Sequence, residues 1–265
     1  MQLYDMHSHI LPGIDDGAPS VEKSLVILNE LKKQGITNVC LTPHFYTNEI
    51  SAEDFAAKRQ HAIDKLMPQI PDGMKVVVGA EVYVTRYMFN GDDFSCACYG
   101  NSNYILTEFA YTSQFSSHTM EYFVKLTENY NMIPVLTHVE RYPALINDPS
   151  IIGELKDMGV IIQTNTNSYT KKASFFSKLK LIKLIKGGYI DVIGGQQHAV
   201  VIFGEKDVVA PGEHRPPPGN PRGEKRAQIL GRFEFYEACG PLVDAETVAP
   251  AQADLVKFSN HGMQS

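Results

Sequence analysis

The chain has 265 residues, 43% of them hydrophobic, which is enough for one large domain or two small ones with a full core. A formal net charge of −6 gives no reason to expect a nucleic-acid partner. No apolar run approaches the roughly 18 residues of a membrane span, and the N-terminus lacks the basic and apolar regions of a secretory signal. The four cysteines, Cys40, Cys96, Cys98 and Cys239, form no C-x-x-C pair. They read as reduced thiols of a cytoplasmic protein rather than disulfides or a zinc knuckle.

Strand and helix signals alternate along the chain. "LYDM" is a short strand, followed by "HSHILPGIDDGA". "PSVEKSLVILNELKKQG" is a helix with Val21, Leu25, Leu28 and Leu31 at helical spacing, started at Pro19 and Ser20 and stopped at Gly35. "TNVCLTPH" is the next strand. "SAEDFAAKRQHAIDKLM" is a helix with Ser51 as its N-cap. "MKVVVGAEVY" and "NYILTEF" are buried strands. A helix over 118–130 leads to the strand "IPVLTH", and another near 150–158 leads to "GVIIQTN". The basic amphipathic helix "FFSKLKLIKLIKGG" precedes "YIDVIGG", and its lysine stripe reads as a solvated outer face rather than a membrane-binding one. After about residue 199 the texture changes: seven of the fifteen prolines fall in the last 67 residues. That segment, 199–265, reads as irregular or partly disordered, with one weak helical stretch, "EKRAQILGRFEFYEAC".

About seven strands, most separated by helices, predict an α/β domain over 1–198 with a mainly parallel sheet. In closed barrels of this kind, function sits at the C-terminal ends of the strands. His7, His9, His44, Glu81, Glu108, His138 and His198 fall at those ends, with Asp15 shortly after the first. Strand alternation puts His7 and His9 on one side and Ser8 on the other. A lone His-x-His is more often ordinary polarity than a ligand pair, but a whole set of nitrogen and oxygen donors suits zinc, manganese or iron. A buried Glu81 or Glu108 would be costly without a cation.

"DMHSHILPGIDDGA", "LTPHFY", "GAEVY", "YILTEF", "VLTHVERYP" and "VIGGQQH" together resemble the PHP (polymerase and histidinol phosphatase) superfamily, over about residues 1–198. They are most similar to its bacterial manganese-dependent protein-tyrosine phosphatases of capsule and exopolysaccharide synthesis. The resemblance implies a distorted seven-stranded β/α barrel holding two or three divalent ions. It implies His7, His9 and Glu81 around one metal, Glu81, Glu108 and His138 around a second, and Asp15, His44 and His198 around a third. It implies that Arg141 grips phosphate, and that the substrate is a phosphotyrosine protein such as an autophosphorylating tyrosine kinase. Two or three cations would neutralise the phosphate oxygens and lower the pKa of a bridging water, while an arginine fork matches phosphate geometry. No cysteine lies in a C-x5-R phosphate loop, which argues against a cysteine-based phosphatase.

The match departs from the family in four places. Val139 stands where the family usually has proline. The last ligand pair, Asp-x-His in the family, is Gln196-Gln197-His198 here, and glutamine lacks the charge a divalent cation prefers. Arg215, the only match to the family's second arginine, lies 17 residues beyond His198, farther than the family places it. The proline-rich texture begins at the same point. A shifted reading frame or a genuine divergent insertion would each explain the segment. Besides phosphotyrosine hydrolysis, three readings stand: a phosphatase for a small ester such as histidinol phosphate, a binding protein that has lost a metal through Gln196, and, more weakly, a metal-dependent amidohydrolase.

Overall fold

The computed structural model describes residues 3–165, 168, 175–194 and 243–244. Its elements are β1 (Leu3–Ser8), α1 (Val21–Lys33), β2 (Ile36–Leu41), β3 (His44–Tyr46), α2 (Ala52–Leu66), β4 (Lys75–Val78), β5 (Glu81–Tyr83) and β6 (Tyr104–Glu108). There follow α3 (Ser117–Val124), β7 (Ile133–Leu136), α4 (Pro143–Asn147), α5 (Ser150–Asp157), β8 (Ile161–Asn165), α6 (Phe175–Lys186), β9 (Val192–Gly194) and the short β10 (Val243–Asp244). The expected N-cap Ser51 forms, its side chain accepting from the Asp54 N–H, and Ser20, at the expected start of α1, caps that helix by accepting from the Lys23 N–H. Gly35 closes α1 at φ 83°, a conformation open to glycine.

Each of the seven apolar runs is a strand, but two are broken. "TNVCLTPH" is interrupted at Thr42 and Pro43, where proline has no N–H for the ladder. "MKVVVGAEVY" is interrupted at Gly79 and Ala80. There a Cβ on Gly79 would meet the Tyr99 ring at 3.2 Å. At these breaks the chain passes from one sheet to another. The first sheet has the order β1-β2-β4-β10 and the second β3-β5-β6-β7-β8-β9. All pairs are parallel except β10 with β4. The fold is thus mixed α/β with parallel sheets. Among the described residues no hydrogen-bonded ring closes, although β9 lies against β1.

Consecutive strand residues alternate between two apolar clusters. Val39, Leu41, Val76, Ile105 and Leu136 pack into the larger cluster with Leu28 and Leu31 of α1, Phe55 and Leu66 of α2, and Phe123 of α3. Cys40, Val77, Leu106 and Val135, one residue out of phase, pack with Met6, Tyr99 and Tyr104. The strands are therefore covered on both faces, which explains their near-continuous apolar runs. On α6, Leu181 and Leu184 are buried while Lys180, Lys183 and Lys186 are exposed, as expected of an outer face. The helix expected over 118–130 is α3 followed by a π turn at Lys125–Asn129.

Candidate metal centre

Strand register brings the donors together. His44 pairs with Glu81 across β3 and β5, and Tyr83 with Glu108 across β5 and β6. Ser8 faces away from His7 and His9, and its hydroxyl donates to the Cys40 carbonyl at 2.7 Å. His7 and His9 accordingly meet at 3.2 Å between their Nε2 atoms. The loop after His9 folds straight back: the Ala18 N–H donates to the His9 carbonyl at 3.0 Å. A Cβ on Gly17 would lie 2.1 Å from that carbonyl oxygen, so only glycine fits. This return delivers Asp15, whose Oδ2 accepts from His9 Nδ1 at 2.8 Å and from the His44 N–H at 2.9 Å. The pairing leaves His9 Nε2 turned to the cluster.

Glu81 is the centre of the site and is fully buried. Its Oε2 lies 3.0 Å from His7 Nε2, 3.2 Å from His9 Nε2 and 3.2 Å from His44 Nδ1. Its Oε1 lies 2.8 Å from His138 Nε2 and accepts from the Thr137 hydroxyl at 3.1 Å. Despite these distances, Glu81 Oε2, His44 Nδ1 and His138 Nε2 have no hydrogen-bond partner. Imidazoles converge on one carboxylate within contact range yet outside hydrogen-bonding geometry. Buried polar atoms left this way are costly, and a shared cation would satisfy all of them at once, so the residues present fit a metal centre.

Three groups have donor atoms within 4.8 Å of one another: His7, Glu81 and His138; His44, Glu81 and Glu108; and His9, Asp16 and His44. All of these residues except Asp16 were expected from the sequence, which offered Asp15 in its place. Asp15 is committed to His9, His44 and the Gly17 N–H. Its neighbour Asp16, with an 82% exposed side chain, stands 3.6 Å from His44 Nε2 instead. Gln196, His198 and Arg215 lie outside the described residues.

Burial pulls His7 down to about 4, leaving it in the neutral form that ligates metals. Burial acts the same way on His9, but the Asp15 and Glu81 carboxylates outweigh it and hold that imidazole at about 10. For Glu81, burial disfavours the charge, yet the surrounding imidazoles keep it well below the usual carboxylate range. Glu108 is pushed the other way, by burial and then by the charge of Glu81. Burial lifts the Cys98 thiol to about 12, which leaves it a poor nucleophile.

Three residues that support the site, Asn165, Glu140 and Tyr111, carried no sequence signal. His138 sits in the left-handed region at φ 52°, and its Nδ1 meets the Asn165 amide at 2.7 Å. Glu140 accepts from the Thr164 hydroxyl at 2.7 Å, tying the end of β8 to the turn that carries Arg141. Tyr111 donates to Glu108 Oε1 at 2.5 Å and accepts from Arg141 Nη1 at 2.6 Å.

The chain matches the family model for capsular polysaccharide synthesis, CpsB/CapC, over residues 3–202. It is 32% identical to the tyrosine-protein phosphatase CpsB of Streptococcus pneumoniae over 189 residues, 68% of this chain and 74% of that protein. It is 26% identical to the tyrosine-protein phosphatase YwqE of Bacillus subtilis over 210 residues, 75% of this chain and 78% of that protein. A chain from the crystal structures of YwqE from B. subtilis and CpsB from S. pneumoniae, described as metal-dependent tyrosine phosphatases, shares its fold. The TM-score is 0.59 at 24% identity, covering 72% of this chain and 78% of the other. With donors, fold and sequence in agreement, the chain belongs to the CpsB/CapC family of capsular polysaccharide synthesis.

Proposed function

We propose that this protein is a metal-dependent phosphatase that hydrolyses phosphotyrosine on a protein, an autophosphorylating tyrosine kinase of capsule or exopolysaccharide synthesis, in the cytoplasm. The observation that carries the proposal is the buried Glu81, faced by four imidazoles without hydrogen-bonding geometry. Relatives named as tyrosine-protein phosphatases set the substrate class.

His7, His9, His44, Glu81, Glu108 and His138 would hold two or three divalent ions, manganese by preference, with Asp15 or Asp16 and then Gln196 and His198 completing the set. Such ions supply charge neutralisation for a phosphate dianion and a water of lowered pKa. Arg141, at the rim, offers a guanidinium fork to the phosphate oxygens. Arg215 is the remaining candidate for a second grip. The two sheets would approximate a distorted seven-stranded barrel: two of the apolar runs cross from one sheet to the other as β2 to β3 and β4 to β5, and β9 lies against β1.

A second reading follows from Gln196, which weakens the set by one negative charge. Gln196→Asp should then raise metal occupancy. The test of the function is turnover of a phosphotyrosine peptide and of histidinol phosphate, with manganese titrated. Manganese-dependent hydrolysis preferring the peptide by at least about tenfold, roughly 1.4 kcal/mol in the barrier, is the expected result. Hydrolysis of histidinol phosphate alone would reassign the substrate, and hydrolysis of neither would overturn the reading.

A further inference from the structure

We propose that Tyr111 is a positioning residue that aims Arg141 at the phosphate site; this rests on the phosphatase reading above. The Arg141 guanidinium donates to the Tyr111 hydroxyl, and that hydroxyl donates to Glu108. The bonds run in one direction, from arginine through phenol to carboxylate, and each polarises the next. They join the exposed end of the site to a donor of the buried cluster.

The relay constrains both of its ends. Glu108 Oε1 is occupied by the phenol, which leaves Oε2 facing His44 at 3.8 Å. The Arg141 guanidinium also lies over the Tyr111 ring, 5.5 Å from its centroid. Tyr111 itself stands against a rigid neighbour: its ring meets Tyr142 edge-on at 5.8 Å. Tyr142 is buried and its hydroxyl accepts from the Phe109 N–H at 3.0 Å. The phenol is thus placed by packing, whereas a long arginine side chain has to be ordered before it can grip anything.

A purely structural role does not account for the contact. Tyr111 is 41% exposed and lies in the loop between β6 and α3, so it contributes little to the core. Both partners of its hydroxyl belong to the proposed site.

The experiment is a double-mutant cycle on manganese-loaded full-length protein, with Tyr111→Phe, Arg141→Ala and the pair. It is read by inorganic phosphate binding in a calorimeter and by kcat and KM on a phosphotyrosine peptide. Tyr111→Phe keeps the ring and removes only the hydroxyl. It should weaken phosphate binding about tenfold in the wild-type background and less than twofold when Arg141 is already alanine. Metal content should stay unchanged throughout. An equal loss in both backgrounds, or loss of metal in Tyr111→Phe, would overturn the positioning role. Phosphate binding that follows the cycle without any hydrolysis would support the positioning role while sinking the phosphatase reading. No phosphate binding by the wild type would overturn both.

Discussion

The same strands end in two opposite ways. On one face of β1, β2, β4, β6 and β7, Met6, Cys40, Val77, Tyr104, Leu106 and Val135 form an apolar cluster around Tyr99, whose hydroxyl donates to the Met6 carbonyl at 2.9 Å. Every group there is covered or paired by the protein's own atoms. One to four residues farther along the chain, His7, His9, Glu81 and His138 are buried just as deeply. There the contacts of the imidazoles to Glu81 are short but form no hydrogen bonds. Equal burial therefore carries opposite energetic signs. Covering an apolar side chain contributes about 1.5–3 kcal/mol, whereas an unpaired buried polar group costs about 1–3 kcal/mol. The first region folds the chain, and the second draws on that stability until a cation binds.

Separating the two ends by mutation tests this contrast. The largest effect should come from Glu81→Gln, which keeps the volume and removes the charge on which the imidazoles converge. Turnover should fall by at least about 1,000-fold, since changes merely supporting a metal ligand already cost 10–100-fold in affinity or activity. Elemental analysis should show metal loss in parallel. Leu106→Ala, at the apolar end, should behave inversely. It should cost about 2–5 kcal/mol in denaturant unfolding, with metal per chain unchanged; coupled loss of metal would show that the two ends are not separable.

A smaller effect is expected from Asn165→Ala, which removes the amide that meets His138 Nδ1 at 2.7 Å. Metal affinity should drop roughly 10–100-fold while the global unfolding free energy of the chelated protein moves by less than about 1 kcal/mol. A competition titration with a chromogenic chelator reads the first quantity and urea melting the second. Retained affinity would mean that the His138 ring is held by its strand and turn alone.

The apolar end was the more legible of the two in the sequence, because packing follows periodicity. Each apolar run became a strand, and Ser20, Ser51 and Gly35 mark helix ends as their chemistry requires. The breaks at Pro43 and Gly79 were harder to foresee: each residue sits in a run that reads as one strand, and only the second sheet reveals the switch. At the polar end the donors were recognisable by type and position. Their grouping was not, because adjacent Asp15 and Asp16 are indistinguishable until the Gly17 turn sends one inward and the other outward. Tyr111 and Asn165 act through side chains already counted, and neither type announces itself in a loop or at a strand end. Gln196, His198 and Arg215 lie outside the described residues and stand on the sequence alone.

One measurement bears most directly on the claim that the buried polar end is built around cations. The protein is stripped with a chelator, manganese is titrated back, and bound metal and Tm are followed together. A site filled at 100 times its Kd adds about 2.7 kcal/mol, worth roughly 5–10 °C in a domain of this size. The account predicts two or three ions per chain and a Tm that rises with occupancy in the wild type, with both responses lost in Glu81→Gln. A Tm that ignores manganese, with fewer than about one ion bound per two chains at that excess, would contradict it.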